Sequence, residues 1–130
     1  ENTLGGNPVV VAGALAVLDL YEKEGYTEKA SRVGEWLQDG IRKLQEKYEL
    51  IGDVRALGTM VGIELVEDRE TKEPAAEKRS RLIELTFKKG LLILGAGASS
   101  VRLAPVHTMS EDEVKAGVDV LDECLAEISG

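Results

Sequence analysis

The sequence has one histidine, His107, and one cysteine, Cys124. A single thiol forms no internal disulfide, and one thiol with one imidazole on separate elements supplies neither a nucleophile–base pair nor a metal cluster. Cys124 falls within an apolar helical stripe and reads as a small core residue of an intracellular, cytoplasmic chain. Positive charge is scarce too: 16 basic residues against 24 acidic ones leave a net charge of -8. That balance repels nucleic-acid phosphates and anionic membranes at long range, so neither is an expected partner. No apolar run reaches the ~20 residues of a membrane span, and a soluble chain is expected. The apolar run at Val9 to Leu18 follows a glycine turn and not a basic segment, so it does not read as a signal peptide. The initiating methionine is missing as well, which points to processing, an artificial boundary or a fragment.

What the sequence does contain is a clear succession of elements sized for one domain. The opening stretch TLGGNPVVVAGALAVL is a glycine turn leading through Asn7, a good N-cap, and Pro8, suited to a first helical turn. A helix is expected from Pro8 to Glu24, closed by Gly25, and a second from Thr27 to about Tyr48 with Val33, Trp36, Leu37, Ile41 and Leu44 on one stripe. The period then changes to that of strands in LIGDVRALG and TMVGIELV, read as a hairpin around Leu57 to Thr59 with Val61, Ile63 and Leu65 on one face. EDRETKEP reads as a loop, followed by a helix at about Ala75 to Lys89 that Gly90 closes. LLIL is expected to be a buried strand, GAGASS a flexible connection, and VRLAP a further strand. Ser110 to Glu113 form a capping box opening a last helix with Val114, Val118, Leu121, Leu125 and Ile128 on its apolar stripe. This order describes an α+β fold, a small largely antiparallel sheet covered by helices on one face. The first helix is apolar on every side, so a second domain or a partner subunit is expected to cover it.

Few residues offer chemistry. His107 lies in a loop after a strand, where packing or a substrate contact are the two readings. Glu111, Asp112 and Glu113 suit a helix N-terminus better than acid–base work. The amides of TLGGNP and the Thr3 hydroxyl suit an anion, although a tight turn with a helix cap explains the same residues. GAGASS, between two strands, could hold an anion in the same way, with a mobile connection as the alternative. Arg102 alternates with Val101 and Leu103, which face the core, so its guanidinium points the other way and suits a two-bond grip on a carboxylate; a solvated strand arginine is the alternative.

Four segments in order resemble the C-terminal part of the class III pyridoxal-phosphate aminotransferases, the 4-aminobutyrate, ornithine and acetylornithine aminotransferase family of fold type I. They are TLGGNPVVVAGALAVLDLYEKE, VRALGTMVGIELVED, KKGLLIL and SVRLAPVHTMSEDEV. Together they span essentially the whole chain. The resemblance implies that Thr3 binds the cofactor phosphate across a dimer interface, that Arg102 holds the substrate α-carboxylate, and that Gly5, Gly6 and Asn7 shape that interface. It implies residues 1–25 as an interdomain turn and linking helix, and residues 26–130 as the small domain. The chain departs from the family pattern at Asn2, Leu4, Ala56, Val106 and His107, which touches the substrate pocket and not the fold.

The family's covalently bonding lysine, the acidic partner of the pyridine nitrogen and the ring-stacking residues belong to a large domain preceding Glu1. Lys88 and Lys89, at a helix end, read as solvated charges. The resemblance therefore implies a parent homodimer that moves an amino group between an amino acid and a 2-oxo acid, a fragment inactive by itself, and no stable cofactor binding by the fragment. A racemase or aminomutase of the same family, a non-catalytic interaction module, and an excised or redesigned domain are the alternatives.

Overall fold

The structure, a computed structural model, describes Thr3 and residues 5–129. Helix α1 spans Pro8–Glu24, and its ends are set as the sequence dictates. The Asn7 side chain accepts the Val9 N–H at 2.9 Å, and Gly25 adopts the left-handed conformation, with φ 60, that closes the helix. Gly25 is also where α2, Tyr26–Lys47, begins, one residue before the expected Thr27. One face of α2 is buried through Val33, Leu37, Ile41 and Leu44, as its three- and four-residue spacing requires. Arg69 finishes that helix. Its Nη2 donates to the carbonyl of Tyr48 at 2.9 Å, and its Nε to those of Glu49 and Ile51 at 3.2 Å each, so a cation sits at the carbonyl end of the helix.

Strands β1 (Ile51–Leu57) and β2 (Met60–Asp68) form the expected hairpin. Leu57 pairs with Met60 across a two-residue turn, and the register runs back through Arg55 opposite Gly62 to Asp53 opposite Glu64. EDRETKEP is not all loop, because β3, Glu73–Pro74, pairs antiparallel with the end of β2. Helix α3 follows at Ala76–Lys88.

Two expectations fail in the next segment. LLIL is not a buried strand: Leu92 is 73% exposed and Leu94 52%, Ile93 alone is fully inside, and β4 begins only at Leu94 and ends at Ala96. GAGASS is not merely a connection either. Its first residues finish β4, Gly97 turns the chain with φ 58, and Ser100 opens β5, Ser100–Leu103. A run of apolar residues without alternation carries no face information, which is why both boundaries were misplaced. The capping box at α4, Glu111–Ser129, is present, with the Ser110 N–H donating to Glu113 Oε2 at 2.8 Å and the Glu113 N–H to Ser110 Oγ at 3.3 Å.

The sheet order is β1-β2-β5-β4, with β3 on β2, and every pairing is antiparallel. Val61, Ile63, Val101 and Leu103 point to one face, where α2 and α3 lie, and α4 packs against both helices. Cys124 is fully buried in this core, as its place on the α4 stripe implied. No helix among the described residues is long and apolar enough to cross a membrane. Helix α1 stands apart. None of its residues is buried, Val9 is 79% exposed, and among the elements it packs only on α2. The cover expected for an apolar helix does not come from the described residues.

A charged cluster ties α4 to the end of α2. Lys47 Nζ donates to Asp122 Oδ1 at 2.7 Å and the Tyr48 hydroxyl donates to the same oxygen at 2.6 Å. These two donors hold the Asp122 carboxyl below the usual carboxylate range. A depressed carboxyl contributes stability that is fully present above its unfolded value, about pH 4, and is lost as pH falls through the folded value. The destabilisation caused by Asp122→Asn is therefore expected to be clear near neutral pH and to shrink toward zero in acid. Thermal melts of both proteins across that range check it, and a gap that widens in acid would contradict it.

Candidate functional site

The outer face of the sheet, away from the helices, carries the polar residues that alternation puts there. Opposed residues of neighbouring strands lie directly across from each other. One row therefore reads Arg55, Gly62, Arg102, Leu94 from β1 to β4, and the next reads Asp53, Glu64, Ser100, Ala96. Gly62 has no side chain and leaves a gap between the two arginines. Both line an open hollow of about 490 Å³ with Leu57, Met60, Gly97 and Ser100.

The two arginines differ in what they hold. Arg55 Nη1 donates to Asp53 Oδ2 and to Glu64 Oε2, the latter at 2.8 Å. Those two carboxylates push its guanidinium pKa further up, Glu64 first. Arg102 is exposed, and no carboxylate among the described residues lies within 4.0 Å of it. A planar guanidinium presenting its donors to an open hollow is the arrangement that takes a carboxylate in two bonds.

Thr3 is not part of this hollow. It is exposed in the turn before α1, next to Gly5 and Gly6, the latter with a φ of 78. The structure therefore does not bring Thr3 and Arg102 together within this chain. The family departures at Asn2 and Leu4 lie outside the described residues. His107 has a packing contact, with ring centroids 4.6 Å from Tyr26 and 5.6 Å from Tyr21, and it joins the loop after β5 to the α1–α2 corner. Glu113 is occupied by the Ser110 cap, whose backbone and hydroxyl hold its carboxyl below the ordinary range. Lys88 and Lys89 are both exposed and paired, with Glu84 at 2.6 Å and Glu123 at 2.9 Å. Among the described residues no group of three or more histidine, cysteine, aspartate or glutamate side chains is placed to hold a metal.

A smaller hollow of about 180 Å³ lies between α2, α4 and the chain after β5, lined mainly by Leu37, Leu91, Leu92, Leu103 and Leu121. Its one charged group is the already engaged Glu113, so it offers little to a polar ligand. Sequence reasoning singled out Arg102 and passed over the Asp53–Arg55–Glu64 cluster. The signal was available, because a two-residue turn after Leu57 fixes the register that sets Arg55 opposite Gly62.

Residues 1–125 match the family model described as Aminotransferase class-III. The 5-aminovalerate aminotransferase DavT of Pseudomonas aeruginosa is 40% identical over 98% of this chain and 30% of its own length. A leucine/methionine racemase of Thermococcus litoralis is 35% identical over 97% of the chain and 28% of its own length. Among solved structures, a Bacillus anthracis aminotransferase superimposes with a TM-score of 0.92 at 33% identity, covering 97% of this chain and 30% of that one. An amine transaminase from an uncultivated Pseudomonas species, in its PLP-bound form, gives a TM-score of 0.89 at 34% identity over 99% and 29%. The chain thus spans less than a third of the proteins it matches, and with a shared fold and a family match over nearly all its residues it belongs to the class-III aminotransferases.

Proposed function

We propose that this chain acts as the C-terminal small domain of a pyridoxal-phosphate aminotransferase, in which Arg102 holds the carboxylate of the amino acid or 2-oxo acid. The observation that carries the reading is the contrast on the outer sheet face: Arg55 is saturated by two carboxylates while Arg102 has none among the described residues. Residues 1–25 are, on this reading, the link to a large domain, and the exposed apolar surface of α1 is what that domain or a partner subunit covers.

The residues present fit one end of pyridoxal phosphate. The Thr3 hydroxyl and the turn amides of Gly5 and Gly6, beside the positive end of α1, suit its phosphate. Among the described residues nothing in the turn suits the ring, since the Asn7 side chain is used by Val9 and Pro8 has no N–H. When bound, the group supplies an electron sink for the bonds at the amino-bearing carbon. The part of this chain is to orient: Arg102 fixes the carboxylate and with it the direction in which the amino group points. That support is equally available to a racemase, and the Thermococcus litoralis racemase is 35% identical.

The test is Arg102→Leu in the enzyme that carries this chain, assayed with an amino acid donor and with a primary amine lacking a carboxylate. A loss confined to the amino acid is expected, and equal losses for both donors overturn the assignment.

The chain by itself is expected to be inactive. A lysine that attacks a carbonyl must be neutral, a state secured by burial or a neighbouring cation. None of the lysines here is buried. Lys47, Lys89 and Lys115 are pushed the other way, their pKa values raised by hydrogen bonds to Asp122, Glu123 and Asp119. Incubating residues 1–130 with pyridoxal phosphate, an amino acid and a 2-oxo acid should give no transamination; measurable turnover would reverse this expectation.

A further inference from the structure

On the outer sheet face, Glu64 stands between the two arginines. It is directly opposite Asp53 on β1 and Ser100 on β5. Arg55 and Arg102 flank Gly62 one row away, so each is a diagonal neighbour of Glu64, and diagonal neighbours are within reach of long side chains. Of the two, Glu64 engages Arg55, at 2.8 Å, although Asp53 already neutralises that guanidinium. Arg55 thus carries two carboxylates and has no charge left over for a ligand. Its double engagement adds little to stability, because exposed ion pairs contribute little, and its side chain is 58% exposed. Its consequence lies in where it leaves Glu64.

We propose that Arg55 is a positioning residue that holds the Glu64 carboxylate on the β1 side of the sheet and thereby keeps Arg102, across Gly62, open to an incoming carboxylate. This rests on the reading of Arg102 as the carboxylate-binding residue. Gly62 is part of the device, since any side chain there would fill the space between the guanidiniums. Without Arg55, Glu64 swings across to Arg102 and competes with substrate from within the protein, where no association cost opposes it.

The test uses the enzyme that carries this chain. Arg55→Met is expected to raise KM for a carboxylate-bearing donor about fivefold, the weight of one exposed ion pair competing for Arg102. The KM for a carboxylate-free amine stays in place. Arg55→Met with Glu64→Gln removes the competitor and restores the KM. A double variant as impaired as the single one, or a single variant with unchanged KM, overturns the proposal, and a structural defect would not be rescued by a second substitution beside it.

A readout independent of substrate separates this proposal from the reading it rests on. In the crystal structure of Arg55→Met, the Glu64 carboxylate is expected within hydrogen-bond distance of the Arg102 guanidinium, because Arg102 becomes its partner. A Glu64 carboxylate that stays away from Arg102 in that structure sinks the positioning role, whatever Arg102 binds. Should Arg102→Leu leave substrate KM untouched while Glu64 lies on Arg102 in Arg55→Met, the substrate reading fails and the exchange of partners stands.

Discussion

Arg102→Leu is expected to lower kcat/KM for amino acid donors by about 3 kcal/mol of transition-state binding, roughly a hundredfold or more, in the enzyme that carries this chain. The figure follows from two charge-assisted hydrogen bonds lost together. Arg102→Lys keeps the charge and loses the fork, so it should recover only part of the loss. Folding should hardly respond. Arg102 points away from the core, is exposed, and pairs with no carboxylate among the described residues, and surface replacements of that kind stay within about 0.5 kcal/mol. A melt that falls sharply with the activity would mean that Arg102 supports the sheet, and the carboxylate role would then have to be abandoned.

Much of this architecture was legible because it is written in local chemistry. Asn7, Pro8 and Gly25 bracket α1 to the residue, and the Ser110–Glu113 box marks α4, because caps are decided by side chains a few positions apart. The β1–β2 hairpin was legible for the same reason. The failures lie where local signals are silent. Leu91, Leu92, Ile93 and Leu94 look alike in a hydropathy pattern, yet only Ile93 is buried, because their burial depends on where α3 delivers the chain to the sheet edge. The site divided in the same way. Arg102 announced itself by alternating with Val101 and Leu103, whereas the role of Glu64 emerges only when three strands are laid side by side. Thr3 was marked as an anion contact by its glycine turn before a helix, its role at a cofactor came through resemblance alone, and it does not line the sheet hollow.

Gly34 is another residue whose importance appears only in three dimensions, and Gly34→Ala is expected to be among the most damaging single-methyl additions in the chain. It is buried on α2, between Val33 and Leu37, where helix propensity alone would favour alanine by up to ~1 kcal/mol. Packing decides against it. A Cβ at Gly34 would come within 2.2 Å of the Gly58 carbonyl oxygen and 2.5 Å of its carbon. Both are backbone atoms of Gly58 in the β1–β2 turn, and backbone cannot rotate aside as the end of a side chain can. Either α2 or the hairpin must move, at a cost of about 2–4 kcal/mol, or a fall in melting temperature of about 10 °C for a domain of this size. Gly117→Ala on α4 is the control of opposite sign. Its nearest non-local neighbour would be Leu91 Cδ1 at an ordinary 3.7 Å, so the gain in helix propensity should survive as a small stabilisation. The damage at Gly34 should also reach the outer face, because the displaced hairpin carries Arg55 and Met60. If Gly34→Ala melts with the parent chain, the close approach of α2 to the turn is wrong, and with it the rigid placement of Arg55 across Gly62 from Arg102.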